Sequence, residues 1–185
     1  MGCAVPAYIA MLRGINVSGQ KIVRMELLRA SCEALGLRDV ETYVQSGNIV
    51  FGATQKAPSA LAKRISDAIL HDFGFAVPTL VKTKEEMERV IKRNPFLKEA
   101  GIDISKLHVT FLSGPLPANS LKVLRALQAK PDRFHLGRQE IYLHCPSGYG
   151  RTKLSNTAIE KALASSGTTR NWRTAVTLFE MAARF

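Results

Sequence analysis

The chain has 185 residues, of which 46% are hydrophobic, 22% charged and 7% aromatic. At that length about 70% of the unfolded surface can be buried, so a core forms without staples, and the apolar content excludes disorder as the main state. The formal charge is +11, and it is uneven: residues 1–92 hold 12 basic and 9 acidic side chains, residues 93–185 hold 14 and 6. An excess of this sign suits an anionic partner, a nucleic acid or a phosphorylated small molecule, as well as solubility.

Tyr8 to Arg13 predicts a strand, followed by a Gly/Asn/Ser turn region from Gly14 to Lys21. A helix follows with Met25, Leu28, Cys32 and Leu35 at three- and four-residue intervals, stopped by Gly36. Val40 to Val44 and Asn48 to Phe51 read as two short strands around Gln45-Ser46-Gly47. A second helix starts after Pro58, with Leu61, Ile65, Ala68 and Ile69 on one face, and Val77 to Val81 closes the unit as a strand. Thr83 and Glu86 have capping-box spacing, predicting a short helix that ends before Pro95.

From Leu107 the order repeats: strand Leu107 to Leu112, a helix from about Pro117 with Leu121, Leu124 and Leu127, and strands Arg133 to Leu136 and Ile141 to Cys145. A Gly-rich loop from Ser147 to Arg151 opens a helix with Ala158, Ile159, Ala162 and Leu163, and Thr168 to Trp172 is the last strand. A final helix carries Ala175, Leu178, Phe179 and Ala182 on one stripe. The fold class expected is therefore α+β: two ferredoxin-like βαββαβ repeats with antiparallel sheets, plus a C-terminal helix. The expected boundaries are 1–83 for the first repeat, 84–106 for a helical linker and 107–185 for the second repeat with its helix. Corresponding positions in the two halves are expected 92–93 residues apart. Both faces of the first sheet should be covered, since Ile9 and Met11 alternate with Ala10 and Leu12, and all are apolar.

Apolar runs are short, as from Val5 to Leu12, far below the roughly 20 residues that span a bilayer. The opening Met1 to Pro6 lacks the basic region and apolar stretch of a secretory leader. Cys3, Cys32 and Cys145 are odd in number and widely spaced, which suits a reducing compartment. A cytoplasmic protein with no membrane partner is the expectation; oligomeric state and cofactors are left unknown by the sequence.

Three polar clusters draw attention. The loop after the first strand and the turn between the second and third share one edge in a ferredoxin-like unit, bringing Arg13, Asn16 and Lys21 towards Gln45, Ser46 and Asn48. Such groups bind phosphate or carboxylate oxygens, or serve their own loops. In Tyr149 to Ser155, glycines precede a helix opening with Lys153 and Ser155 in its first turn, a place for phosphate or an ordinary capped loop; Walker A spacing is absent. In Thr169 to Thr174, Arg170, Asn171, Trp172 and Arg173 are candidate ligand contacts, with Thr174 placed to cap the last helix and Trp172 either a core anchor or a stacking platform. Arg13, Asn16, Gln45, Asn48, Lys153, Arg170 and Arg173 are expected on one rim.

On the second sheet His108, Tyr142 and His144 are expected to share a helix-free face, which is either a water-facing surface or a nucleic-acid platform without the RNP consensus. His144 and Cys145 point oppositely, so no metal site is expected, and no catalytic constellation is visible.

Three segments together, Tyr8-Ile9-Ala10-Met11-Leu12-Arg13-Gly14-Ile15-Asn16-Val17, Thr42-Tyr43-Val44-Gln45-Ser46-Gly47-Asn48-Ile49-Val50-Phe51 and Thr169-Arg170-Asn171-Trp172-Arg173-Thr174, resemble the signature segments of the bacterial domain-of-unknown-function 1697 family. Asn94-Pro95-Phe96 and Lys153-Leu154-Ser155 fit the same pattern, while Ser18 stands where the resemblance implies a second glycine. The resemblance implies two ferredoxin-like repeats and no established activity. The leading functional expectation is thus binding of a phosphate-bearing ligand or nucleic acid through basic loops. The alternatives are a small enzyme acting on a phosphorylated or nucleotide-like substrate, and an interaction module without a ligand.

Overall fold

A computed structural model describes residues 5–17, 19–54 and 57–185. Cys3 and Ser18, named above, lie outside the described residues. Two compact units are formed, one from residues 1–88 with 177–185 and one from residues 89–176. The fold is α+β, with two four-stranded antiparallel sheets and six α-helices among the described residues.

The first unit runs β1 (Ala7–Leu12), α1 (Met25–Ala34), β2 (Arg38–Tyr43), β3 (Asn48–Gly52), α2 (Pro58–Phe73) and β4 (Thr79–Thr83), with sheet order β2-β3-β1-β4. This is the βαββαβ order read from the periodicities. All residues of β1 and β3 are buried, so both faces of the sheet are covered along its two central strands, while the edge strand β2 is largely exposed. On one face Tyr8, Ala10, Leu12, Ile49 and Phe51 pack with Leu28, Cys32, Leu61, Ile65 and Ile69 of α1 and α2. Each of the leucine, isoleucine and phenylalanine side chains among them contributes about 1.5–3 kcal/mol by leaving water. On the other face lie Ile9, Met11 and Val50, with Val5 and Phe185 against Gly52.

The strand boundaries of this unit fall one or two residues from those expected, and two of the shifts have a local reason. β4 starts two residues later than the apolar run, because Pro78 has no N–H for the ladder; its carbonyl instead accepts from Arg13 N at 2.9 Å. β2 ends at Tyr43 because Val44 turns to φ +51. At the end of the unit Thr83 N donates to Glu86 Oε2 at 2.9 Å and Glu86 N to Thr83 Oγ1 at 3.2 Å, a capping box that starts α3 (Lys84–Lys92).

The second unit repeats the plan with β5 (Leu107–Leu112), α4 (Ser120–Leu127), β6 (Arg133–Leu136), β7 (Glu140–His144), α5 (Asn156–Leu163) and β8 (Gly167–Asn171), in sheet order β6-β7-β5-β8. Its chain continues into α6 (Trp172–Ala182), whose Ala175, Leu178 and Ala182 are buried as the stripe predicts, while Phe179 is half-buried. The starts of β2 and β6, β3 and β7, and α1 and α4 are 95, 92 and 95 residues apart. The expected 92–93 holds only for the β3 pair: β2 begins at Arg38 rather than Val40, and α4 begins at Ser120 rather than Pro117, where Ser120 N donates to the Pro117 carbonyl in a preceding turn. Leu121, expected on the buried face of α4, is exposed, and Leu124 carries the contact.

The faces of the second sheet differ from the expectation. Directly opposed residues of an antiparallel pair share a face, and β5 pairs with β7 so that His108 opposes Leu143 and Val109 opposes Tyr142. His108 therefore lies on the helix side with Ile141 and Leu143, stacked on Tyr149 at 4.6 Å between ring centroids. Tyr142 and His144 lie on the other face with Leu107, Val109 and Phe111. That face is not open to water either. Phe96 is fully buried over it, 5.0 Å from the His135 ring and 5.7 Å from the His144 ring, and the Tyr142 hydroxyl donates to the Val90 carbonyl at 3.0 Å. The three side chains form no common platform for bases.

Candidate functional site

The loop after β1 and the β2–β3 turn do meet, and the contact is made by Asn16. Its Nδ2 donates to the carbonyls of Val23 at 2.9 Å and Gln45 at 2.8 Å, while its Oδ1 accepts from Val23 N at 2.8 Å. Asn16 sits at φ +53, a conformation asparagine tolerates better than most residues. Asn48 is fully buried and donates to the Tyr43 carbonyl and to Ser46 Oγ, both at 3.0 Å. Lys21 donates to the Ala76 carbonyl at 2.8 Å and lies over the Phe75 ring. Arg13 follows β1 directly and is half-buried. The Asn16 and Asn48 amides thus serve loop backbone, the Ser46 hydroxyl accepts from Asn48, and the Gln45 side chain is exposed.

In the second unit the helix opening is one turn later than the sequence suggests. Tyr149–Arg151 form a 3-10 turn, and α5 starts at Asn156, so Lys153 precedes the helix and is exposed rather than standing in its first turn. Ser155 is the N-cap, accepting from Ala158 N at 3.3 Å, and Asn156 N donates to the Tyr149 hydroxyl at 2.9 Å. Thr174 does not cap α6; the helix begins at Trp172, and Asn171 Oδ1 accepts from Thr174 N at 2.8 Å. Trp172 is buried near Tyr142, the core-anchor alternative. Arg170 is buried as well, donating to Thr168 Oγ1 at 2.7 Å and to the Thr169 carbonyl at 3.0 Å, and burial lowers its pKa to about 10. Arg173 is exposed, and its charge helps to keep the Asp103 carboxyl below its usual range, after the larger effect of the Ser105 hydrogen bonds.

A different group of residues encloses space. A cavity of about 530 Å³ opens in the second unit between the end of α3 with the segment that follows it and the β6–β7 hairpin. Lys92, Arg93, Lys98, Arg138 and His135 line it, and among the described residues Glu140 is its one carboxylate. Pro95 and Leu136 supply apolar wall. The register of β6 and β7 explains the convergence: His135 opposes Tyr142, and Glu140 stands two residues before Tyr142 on the same face. Glu140 is buried, its Oε2 accepting from Gln139 N at 3.0 Å and its Oε1 from the Tyr142 hydroxyl at 3.2 Å. Burial, reinforced by the Glu140 charge, raises the Tyr142 pKa far above the ordinary phenol value, so this hydroxyl is a donor.

Four cationic side chains around one carboxylate form a concave, positively charged site able to hold an anion. None of these five charged residues belongs to the three clusters singled out from the sequence. The available signals were the basic residues flanking Asn94-Pro95-Phe96 and the Gly137-Arg138 turn. Among the described residues, no group of three or more His, Cys, Asp or Glu is placed to hold a metal ion, and no helix is long and apolar enough to cross a membrane.

The family model described as protein of unknown function (DUF1697) matches residues 5–142, most of the chain, and the chain belongs to that family. The match takes in β1, the β2–β3 turn, Asn94-Pro95-Phe96 and the whole cavity lining, and ends before the 169–174 segment. The solved structure of the conserved bacterial protein SP0830 from Streptococcus pneumoniae is similar, with a TM-score of 0.78 at 23% identity, covering 97% of this chain and 99% of that one. At that identity the likeness speaks for the fold alone. No curated protein matches the chain.

Proposed function

We propose that this DUF1697 protein binds a small phosphate-bearing ligand in the basic cavity of its second unit. The observation that carries the reading is the convergence of Lys92, Arg93, Lys98 and Arg138 on one cavity of about 530 Å³. Cavities of roughly 300–1,000 Å³ enclose most of a small ligand, and a charge-assisted hydrogen bond to phosphate contributes about 1.5–3 kcal/mol. The exposed Lys153 and Arg173 add to the positive field of the same unit, as does its excess of basic over acidic residues. A concave site favours a compact anion over a nucleic-acid strand, which binds best along an open basic stripe with stacking aromatics. The buried, unbridged Cys32 and Cys145 support a cytoplasmic setting.

The test is a thermal-shift titration of sugar phosphates, nucleotides and a single-stranded oligonucleotide against the protein and its Lys98→Ala and Arg138→Ala variants. A ligand at a hundredfold excess over its Kd stabilises by about 2.7 kcal/mol. The expected result is a shift with small phosphates that both substitutions reduce. A shift with the oligonucleotide alone, falling steeply with salt, would transfer the reading to nucleic acid. No shift with any of them would leave the interaction-module alternative.

A further inference from the structure

We infer that the ligand of this cavity is the phosphate ester of a polyol, its phosphate on the cationic side chains and one of its hydroxyls on Glu140; the inference rests on the reading just given. A carboxylate among phosphate-binding groups repels the phosphate, so its presence calls for a second kind of ligand group. Glu140 is 8% exposed and lines the cavity. An ionised carboxylate offers about four acceptor positions. Among the described residues two donors reach it, Gln139 N at 3.0 Å and the Tyr142 hydroxyl at 3.2 Å. The Tyr142 hydroxyl has a single proton and lies closer to the Val90 carbonyl, at 3.0 Å, so Glu140 receives only a share of it. A buried carboxylate so poorly supplied gains from a donor brought by a ligand.

The backbone is arranged around that carboxylate. A Cβ at Gly137 would fall well inside van der Waals contact with Glu140 Oε1 and Cδ, so the carboxylate in this position lies against the β6–β7 turn in space that the glycine leaves open. Gly137 N donates to the Glu140 carbonyl at 2.8 Å, which closes the turn beneath it. The donor that suits this position is a hydroxyl. An ammonium group would pair with Glu140 but would meet the field of Lys92, Arg93, Lys98 and Arg138, whereas a hydroxyl is neutral. The volume, about 530 Å³, exceeds what a free phosphate ion fills and accommodates the carbon skeleton.

The experiment is isothermal titration of the full chain with methyl phosphate, phosphoethanolamine, glycerol 3-phosphate and glucose 6-phosphate at fixed ionic strength, repeated with Glu140→Gln. At least one polyol phosphate should bind ten times or more tighter than methyl phosphate, and phosphoethanolamine no tighter than methyl phosphate. In Glu140→Gln, methyl phosphate should tighten severalfold as the repelling charge goes, while the polyol advantage falls below threefold. A purely structural Glu140 would weaken all four together. Equal binding of all four esters by the wild-type protein overturns the inference and leaves the anion site standing. Preference for phosphoethanolamine overturns the hydroxyl assignment, and no binding by any ester overturns both readings. The wild-type comparison decides the matter even if the variant does not fold.

Discussion

Replacing Asn16 by alanine separates a structural clamp from a ligand contact in the first signature segment. The side chain makes three hydrogen bonds, two to Val23 in part-buried surroundings and one to the exposed Gln45 carbonyl. The Val23 bonds are worth about 1 kcal/mol each and the exposed one about 0.5 kcal/mol, because water replaces part of what is lost. Alanine at φ +53 adds a left-handed backbone penalty of roughly 1 kcal/mol. The expected loss is therefore about 3–4 kcal/mol, a large part of the 5–15 kcal/mol typical of folded chains. Urea unfolding followed by circular dichroism measures it. Asn16→Gly, which removes the bonds and not the backbone freedom, should cost about 1 kcal/mol less than Asn16→Ala. The clamp argument fails if alanine costs under about 1 kcal/mol, or if glycine proves the more damaging of the two.

Other outcomes follow from the same geometry. Gly47→Ala should destabilise by more than about 2 kcal/mol in the same assay, since its Cβ would stand 2.7 Å from Ile15 Cδ1 and 2.8 Å from Leu12 Cβ at φ +74. Phe96→Ala should cost about 3–5 kcal/mol, because a fully buried ring is lost from beneath Arg133 and between His135 and His144; a cost below 1.5 kcal/mol would mean that the 95–98 segment is not part of the second unit's core. His108 and His144 are both held below the ordinary 6.5, chiefly by burial, with the Arg133 charge adding to the effect at His144. The unfolded chain then binds more protons than the folded one as pH falls below about 6.5, so Tm should drop on acidification, and His144→Gln should flatten that slope. A Tm independent of pH between about 7 and 5 would contradict this.

Much of the fold was legible because the signals are local. The intervals between Leu28 and Cys32 and among Leu61, Ile65 and Ile69 mark faces that the structure buries, and Thr83 with Glu86 forms the capping box that their spacing predicts. Errors arose where a position within two residues decides the chemistry. The strand-to-helix junction after β8 falls at Asn171, so the cap is an asparagine rather than Thr174, and the α5 opening falls at Ser155, which leaves Lys153 outside the helix. Alternation within a strand yields two sets of residues, but which set joins which across a sheet depends on register. One residue of slip separates His108 beside Leu143 from His108 beside Tyr142.

The site was less legible for two physical reasons. Polar residues at turns are in demand by their own backbone, and the amides of Asn16, Asn48 and Asn171 are committed to neighbouring N–H and carbonyl groups, so a dense polar motif marked loop closure. The cavity, by contrast, is made by residues 92–98 and 135–142, which no local pattern connects. What joins them is Phe96: a buried phenylalanine after Asn94-Pro95 draws that segment onto the Tyr142 face of the second sheet and carries Lys92, Arg93 and Lys98 to the hairpin that bears Arg138 and Glu140. An apolar residue in a stretch read as a linker is thus the feature from which the basic cavity follows. The binding of phosphate esters should accordingly be lost in Phe96→Ala at temperatures where β5 to β8 remain folded. Retention of wild-type affinity there would show that the cations reach the cavity without this anchor.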